Sequence, residues 1–137
     1  MLYEYLCTVK KVGDGDNVYV DIDLGYSSFL HNQSIRLYGL DAPETRTRDR
    51  AQKAHALLAK ACVEDHLKVG ETYKLRTIKK GKFGRYLGII KLKGKRGTIN
   101  DLLLESLLAV PYHGENKKVI KAAHEKNRQE LIKQGLL

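Results

Sequence analysis

The sequence predicts a strand-rich α+β protein: about five strands and three helices in a single domain, residues 1–137. Three observations carry this. Apolar and polar residues alternate with the period of a strand through the first forty positions, the period becomes helical after Arg48, and strand-like segments resume between Glu71 and Leu92 before two further helical stretches. A chain of 137 residues fits one ordinary domain around one core.

Each element has its own signal. Tyr3 to Val12 sets Tyr3, Tyr5, Cys7 and Val9 on one side, with Glu4, Leu6, Thr8 and Lys10 on the other. Gly13-Asp14-Gly15-Asp16 reads as a turn, and Asn17 to Leu24 then puts Val18, Val20, Ile22 and Leu24 on one face. A polar stretch through Gly25, Ser27, Ser28 and Asn32 leads to a third strand, Ser34 to Leu40. Strands so closely spaced point to a meander rather than a parallel sheet. Between Arg48 and His66 an apolar stripe runs through Ala51, Ala54, Leu58, Ala61 and Cys62, with Gly70 closing the segment. Strands over Glu71 to Lys79 and Arg85 to Leu92 flank Lys80-Gly81-Lys82-Phe83-Gly84. Asn100 is placed to cap a short helix reaching Leu108. The last segment, Lys117 to Lys133, spaces Ile120, Ala123, Asn127 and Leu131 helically, with Gly135 as a stop.

Composition narrows the function classes. Lysine and arginine total 25 against 16 acidic residues, a net charge of +9 and a pI near 9.5. That excess excludes an acidic partner-binding tail and favours a polyanionic partner such as nucleic acid, although charge kept for solubility gives the same balance. Apolar runs such as Leu102-Leu103-Leu104 fall far short of the roughly 18 residues of a membrane span, so no membrane partner is expected. Nor does any feature call for an obligate protein partner. The two cysteines, Cys7 and Cys62, form no C-x-x-C motif, which excludes a zinc ribbon or redox centre on spacing. Two free thiols suit a reducing compartment, while pairing stays open for an extracellular protein. The start lacks a basic segment followed by a long apolar one, so an intracellular protein is expected, with secretion open if a signal has been removed. His31, His55, His66, His113 and His124 show no metal-binding spacing and are assigned to no metal.

The residues with chemical potential sit at the ends of elements. Asp14 and Asp16 lie in the first turn, where a two-residue step can aim both carboxylates at one ion; aspartate also serves turns by local hydrogen bonding alone. Asp41 and Glu44 follow the third strand, and Pro43 biases Ala42 towards an extended conformation in which its carbonyl can join the Asp41 side chain. Hard oxygen donors of this kind suit calcium or magnesium rather than zinc. Arg36 and Asp41 would point to opposite faces of a straight strand, and Gly39 permits the bend that brings them together. Arg85 follows Gly84 at the mouth of another hairpin. Guanidinium grips phosphate through paired hydrogen bonds, which lysine cannot match. Tyr112, after Pro111, and Phe83 can each stack near a nucleotide or pack in the core. Lys117, Lys118, Lys121, Lys126 and Arg128 read as the solvated face of a helix.

At these residues the sequence resembles the staphylococcal nuclease (thermonuclease) family. The matching pieces are Val12-Gly-Asp-Gly-Asp-Asn17, Ile35-Arg-Leu-Tyr-Gly-Leu-Asp-Ala-Pro-Glu44, Lys82-Phe-Gly-Arg-Tyr-Leu87 and Ile99-Asn-Asp-Leu-Leu-Leu104 with Leu108-Ala109. Single pieces recur by chance; the ordered set is specific. The resemblance implies a five-stranded OB-fold barrel with three helices and a calcium-dependent, largely sequence-independent phosphodiesterase acting on DNA and RNA. It further implies one calcium ion on Asp16, Asp41 and the Ala42 carbonyl, with Asp14 one contact further out. Glu44 would be the general base or water-positioner, Arg36 and Arg85 would hold the reacting phosphate, and cleavage would leave 3′-phosphate ends. Lys82, Phe83 and Tyr112 are the expected nucleic-acid contacts. The family's usual threonine after the paired aspartates is Asn17 here, and Gly81 precedes Lys82 where an aspartate is common. The loop Thr45-Arg-Thr-Arg-Asp-Arg50 is short and arginine-rich. Leu107 replaces a glycine, so the second helix is expected to end without a left-handed stop.

Two other readings compete. A non-catalytic OB-fold module binding single strands would share the basic surface, yet would have no reason to keep Glu44, an anion beside a bound phosphate. A protein–protein interaction barrel is disfavoured by the +9 charge.

Overall fold

The computed structural model describes residues 3–81, 84–94 and 97–137. Alternation in the first two strands does what its period requires. In β1 (Tyr3–Val12) and β2 (Asn17–Gly25), Cys7, Val9, Val18, Val20 and Ile22 turn inward and are buried. The two strands pair antiparallel, from Leu6 opposite Asp23 to Val12 opposite Val18. β3 (Ser28–Leu37) adds antiparallel to β2. β5 (Thr72–Lys80) lies antiparallel to both β1 and β6 (Tyr86–Ile90), and β6 runs parallel to β3, closing a barrel in the order β1-β2-β3-β6-β5. The meander reading therefore holds for β1 to β3, and one parallel contact closes the cylinder. Outside it, β4 (Leu40–Asp41) and β7 (Val110–Pro111) form a two-stranded ladder with no signal in the sequence.

β3 begins six residues earlier than expected. Gly25 pairs with Ser28 across a two-residue turn in which Tyr26 and Ser27 have φ of 53° and 58°. This is the left-handed pair that suits a hairpin's twist, normally supplied by Asn-Gly. The polar stretch is thus strand, its side chains lying on an exposed edge of the barrel. β3 also ends early, at Leu37, because Gly39 at φ +82° turns the chain outward.

Helix α1 (Arg50–His66) starts at an Asp49 cap whose side chain accepts from the Ala51 and Gln52 amides. Its buried face is His55, Ala56, Ala59 and Val63, whereas Ala51, Ala54 and Ala61 of the expected stripe are exposed. The helix lies on the β1–β2 turn so closely that a Cβ on Gly15 would sit 2.8 Å from that of Ala59. That approach selects a small residue on the contact face, and it overrides the apolar count. Gly70 stands beyond the helix, in the turn into β5, where its amide donates to Val9.

Helix α2 (Ile99–Glu105) is capped by Thr98, not Asn100. Asn100 is buried instead: its oxygen accepts from the Ile90 amide, and its nitrogen donates to the Tyr38 and Gly88 carbonyls. One side chain thus ties α2 to β6 and to the bend after β3. The expected absence of a left-handed stop is also overturned, because Leu107 itself takes φ 62°. The Leu108 amide reaches the Leu103 carbonyl and the Leu107 amide reaches Leu104, the paired closure a glycine usually makes. A left-handed leucine costs about 1–2 kcal/mol, offset by a bond from His55 Nε2 to the Leu107 carbonyl at 2.9 Å.

Helix α3 spans Lys117–Lys133, as its periodicity predicts, with Asn116 as cap. Its buried residues are His124, Arg128 and Leu131, so Arg128 does not belong to a solvated face. Cys7 and Cys62 are free thiols, one buried and one half-buried, and burial pushes the Cys7 thiol up to about 11. No helix among the described residues is long and apolar enough to cross a membrane.

Candidate active site

The bend at Gly39 decides the site. It lets Arg36, on β3, turn to the same side as Asp41, on β4: Arg36 Nη2 lies 3.2 Å from Asp41 Oδ1, and Nη1 lies 3.3 Å from Asp16 Oδ2. Asp16 Oδ2 also accepts from the Ala42 amide at 3.1 Å. The β1–β2 turn, the end of β3 and the Asp41-Ala42 segment are thereby locked around one guanidinium. Asp14 faces a different way, accepting from the Thr45 amide and, at 2.6 Å, from its hydroxyl. That contact fixes the chain just beyond Glu44. Asn17, standing where threonine is usual, accepts from the Ser34 hydroxyl and so braces β2 against β3.

An open cleft of about 1380 Å³ lies over this centre, with Arg36, Asp41, Glu44, Arg85 and Tyr112 in its wall. Ala42 and Pro43 are buried and Glu44 is exposed, so a buried anchor presents the Glu44 carboxylate at the rim. Arg85 reaches the cleft through the parallel pairing of β3 with β6. Arg36 registers with Leu87, which puts Arg85, two residues earlier, at the same end of the barrel. Tyr112 lies in the cleft wall, outside the core. It is half-buried, with the Arg36 guanidinium 5.7 Å from its ring centre, and it supports the arginine rather than filling the core. Lys82 and Phe83 lie outside the described residues.

His124 is a contact that sequence reasoning missed. From α3 its Nε2 donates to Asp41 Oδ2 at 2.8 Å. The ring packs edge-on to His55, centroids 6.1 Å apart. A partial signal was present, since His124, Arg128 and Leu131 recur at helical spacing.

Electrostatics separate the two aspartates. Burial pushes the Asp16 carboxyl above its usual range; Arg36 and the Ala42 amide oppose the rise, while Asp41 and Asp14 reinforce it. Burial also works against the Asp41 anion, but the bonds from His124 and Arg36 outweigh it and hold that carboxyl below its usual value. Asp16 and Asp41 share the one Arg36 guanidinium, and a hard cation would add to the positive charge facing the two carboxylates. Among the described residues no three histidine, cysteine, aspartate or glutamate side chains gather as metal ligands. An ion here would rest on Asp16, Asp41, a main-chain oxygen and water, a donor set that fits calcium.

The family model described as "Staphylococcal nuclease homologue" matches residues 34–136. The chain belongs to that family. Its closed five-stranded barrel with three helices is the OB-type fold of staphylococcal nuclease homologues, as the sequence motifs imply. Membership supports a nuclease-like or nucleic-acid-binding role. A comparison with curated proteins returns no match.

Proposed function

We propose that this staphylococcal nuclease homologue is a calcium-dependent phosphodiesterase that cleaves DNA, and RNA as a second substrate, with little regard to sequence. The observation that carries the reading is the convergence of Arg36, Arg85, Asp41 and Glu44 on one cleft, with Asp16 bonded to Arg36 behind it. A phosphodiester is an anion, so attack by water is opposed by charge that grows towards the transition state. Two guanidiniums on the non-bridging oxygens, Arg36 held by Asp16 and Asp41 and Arg85 from across the cleft, offset that charge; removing one such donor typically costs about 100- to 1000-fold in rate. Asp16, Asp41 and the Ala42 carbonyl would hold the calcium. When bound, the ion supplies Lewis-acid stabilisation to a phosphoryl oxygen. Glu44, exposed and anchored by Pro43 and by the Asp14–Thr45 bond, orients a water and takes its proton. By family resemblance the water oxygen bonds to phosphorus as the bond to the 5′-oxygen breaks; that oxygen leaves as a hydroxyl after taking a proton from solvent, and 3′-phosphate ends remain.

Lys79, Lys80, Lys117 and Lys121 line the same cleft and draw the sugar–phosphate backbone in without reading bases. The test is degradation of plasmid and of single-stranded oligonucleotide with calcium, magnesium or excess chelator, followed by phosphatase treatment of the ends. Cleavage strongest with calcium and lost on chelation, with phosphatase-sensitive 3′ ends, is the expected result. Undiminished cleavage after exhaustive chelation would remove the metal from the account.

A further inference from the structure

We infer that His124 is a positioning residue for Asp41: by holding one carboxylate oxygen it fixes the other in the direction calcium binding requires. The inference rests on the metal site proposed above. Asp41 lies on a two-residue strand, and the terminal torsion of an aspartate side chain is broad, so the backbone alone does not orient its carboxylate. Bonds at both oxygens do. His124 Nε2 holds Oδ2 at 2.8 Å and Arg36 Nη2 holds Oδ1 at 3.2 Å. The histidine bond is the shorter of the two, and it comes from a different element.

The imidazole is itself held still. It is buried on α3, its edge packs against His55, and His55 is fixed by its bond to the Leu107 carbonyl. Helices α1 and α3 thus back a single N–H aimed at Asp41. His124 Nδ1 is buried with no hydrogen-bond partner among the described residues, so the ring's only bond there is the one to the carboxylate. A ring kept merely for packing would need no nitrogen at either position. Partners that orient a metal-binding side chain in this way typically contribute 10- to 100-fold to metal affinity.

The test uses the full chain without nucleic acid, with calcium affinity measured by isothermal titration calorimetry and folding by thermal melting in chelator. His124→Gln places an N–H near the position of Nε2; His124→Phe keeps a ring of similar size with no donor. H124F should bind calcium roughly 10- to 100-fold more weakly than wild type, while H124Q retains most of the affinity. Equal binding by H124F and wild type would overturn this inference alone. Equal weakening in both variants would also overturn it, because the ring rather than the donor would then matter. Absence of calcium binding by wild type would overturn the metal site and this inference with it. A second readout does not depend on any variant folding: the His124 ring nitrogen signals of wild type should shift as calcium is titrated. Signals unmoved at saturating calcium would overturn the inference.

Discussion

Asp16 sits in the interior with Arg36 and the Ala42 amide as hydrogen-bond partners, and burial raises its folded-state pKa above the unfolded value. The folded state therefore keeps this proton to higher pH than the unfolded chain does. Stability falls as pH rises from the unfolded value of 3.8 through the folded one, and the cost is fully present above it. Asp16→Asn should accordingly raise stability at pH 7 in chelator, with the gain vanishing below about pH 3.8, as read from urea denaturation at both pH values. The same change should abolish calcium binding. Arginine gives a second prediction at this scale. Arg85→Lys keeps the charge but loses the paired geometry, and should lower turnover by roughly 100-fold or more with little change in melting temperature. Arg36→Lys should lower turnover similarly but also the melting temperature, because one ammonium cannot span Asp16 and Asp41 as the guanidinium does. Melting curves beside single-turnover rates separate the two arginines.

Elements place these residues by close approach as much as by periodicity. Gly15 is buried between Asp14 and Asp16, and a Cβ there would meet Ala59 at 2.8 Å and Ala42 at 3.3 Å. Gly15→Ala should cost about 1–3 kcal/mol, the range for overpacking, and should weaken calcium binding by pushing α1 away from the acidic turn; calorimetric melting and calcium titration check both. Such contacts explain what the sequence conceals. The stripe through Ala51, Ala54 and Ala61 was a sound count of apolar residues, but contact with the turn rotated α1 so that His55 and Ala59 face inward. Asn100 suits a cap by residue type, and only its hydrogen bonds with Ile90, Gly88 and Tyr38 show it to be a buried clamp. His124 lies 83 residues from Asp41, and nothing local announces the pair. By contrast, the convergence of Arg36 and Asp41 was legible, because Gly39 marks the bend that permits it.

At the scale of the whole molecule, barrel closure converts three scattered motifs into one site. The β1–β2 turn, the chain beyond β3 and the start of β6 meet at one end because the first three residues of β6, Tyr86 to Gly88, register with the last three of β3, Ile35 to Leu37. The motifs and their order could be read in the sequence; the parallel contact could not, since pairing between strands some fifty residues apart leaves no local pattern. The resulting cleft combines the guanidiniums of Arg36 and Arg85 with the exposed carboxylate of Glu44, in a chain of net charge +9. A module that only bound nucleic acid would gain from losing that carboxylate. The decisive measurement is therefore single-turnover cleavage of a fluorescent single-stranded oligonucleotide in calcium by wild type and Glu44→Gln, run beside equilibrium binding of an uncleavable nucleotide analogue. The account predicts that wild type cuts, and that Glu44→Gln cuts about 100-fold or more slowly while binding the analogue at least as tightly. Wild type that binds but does not cut with any divalent ion, or Glu44→Gln that cuts at the wild-type rate, would contradict it.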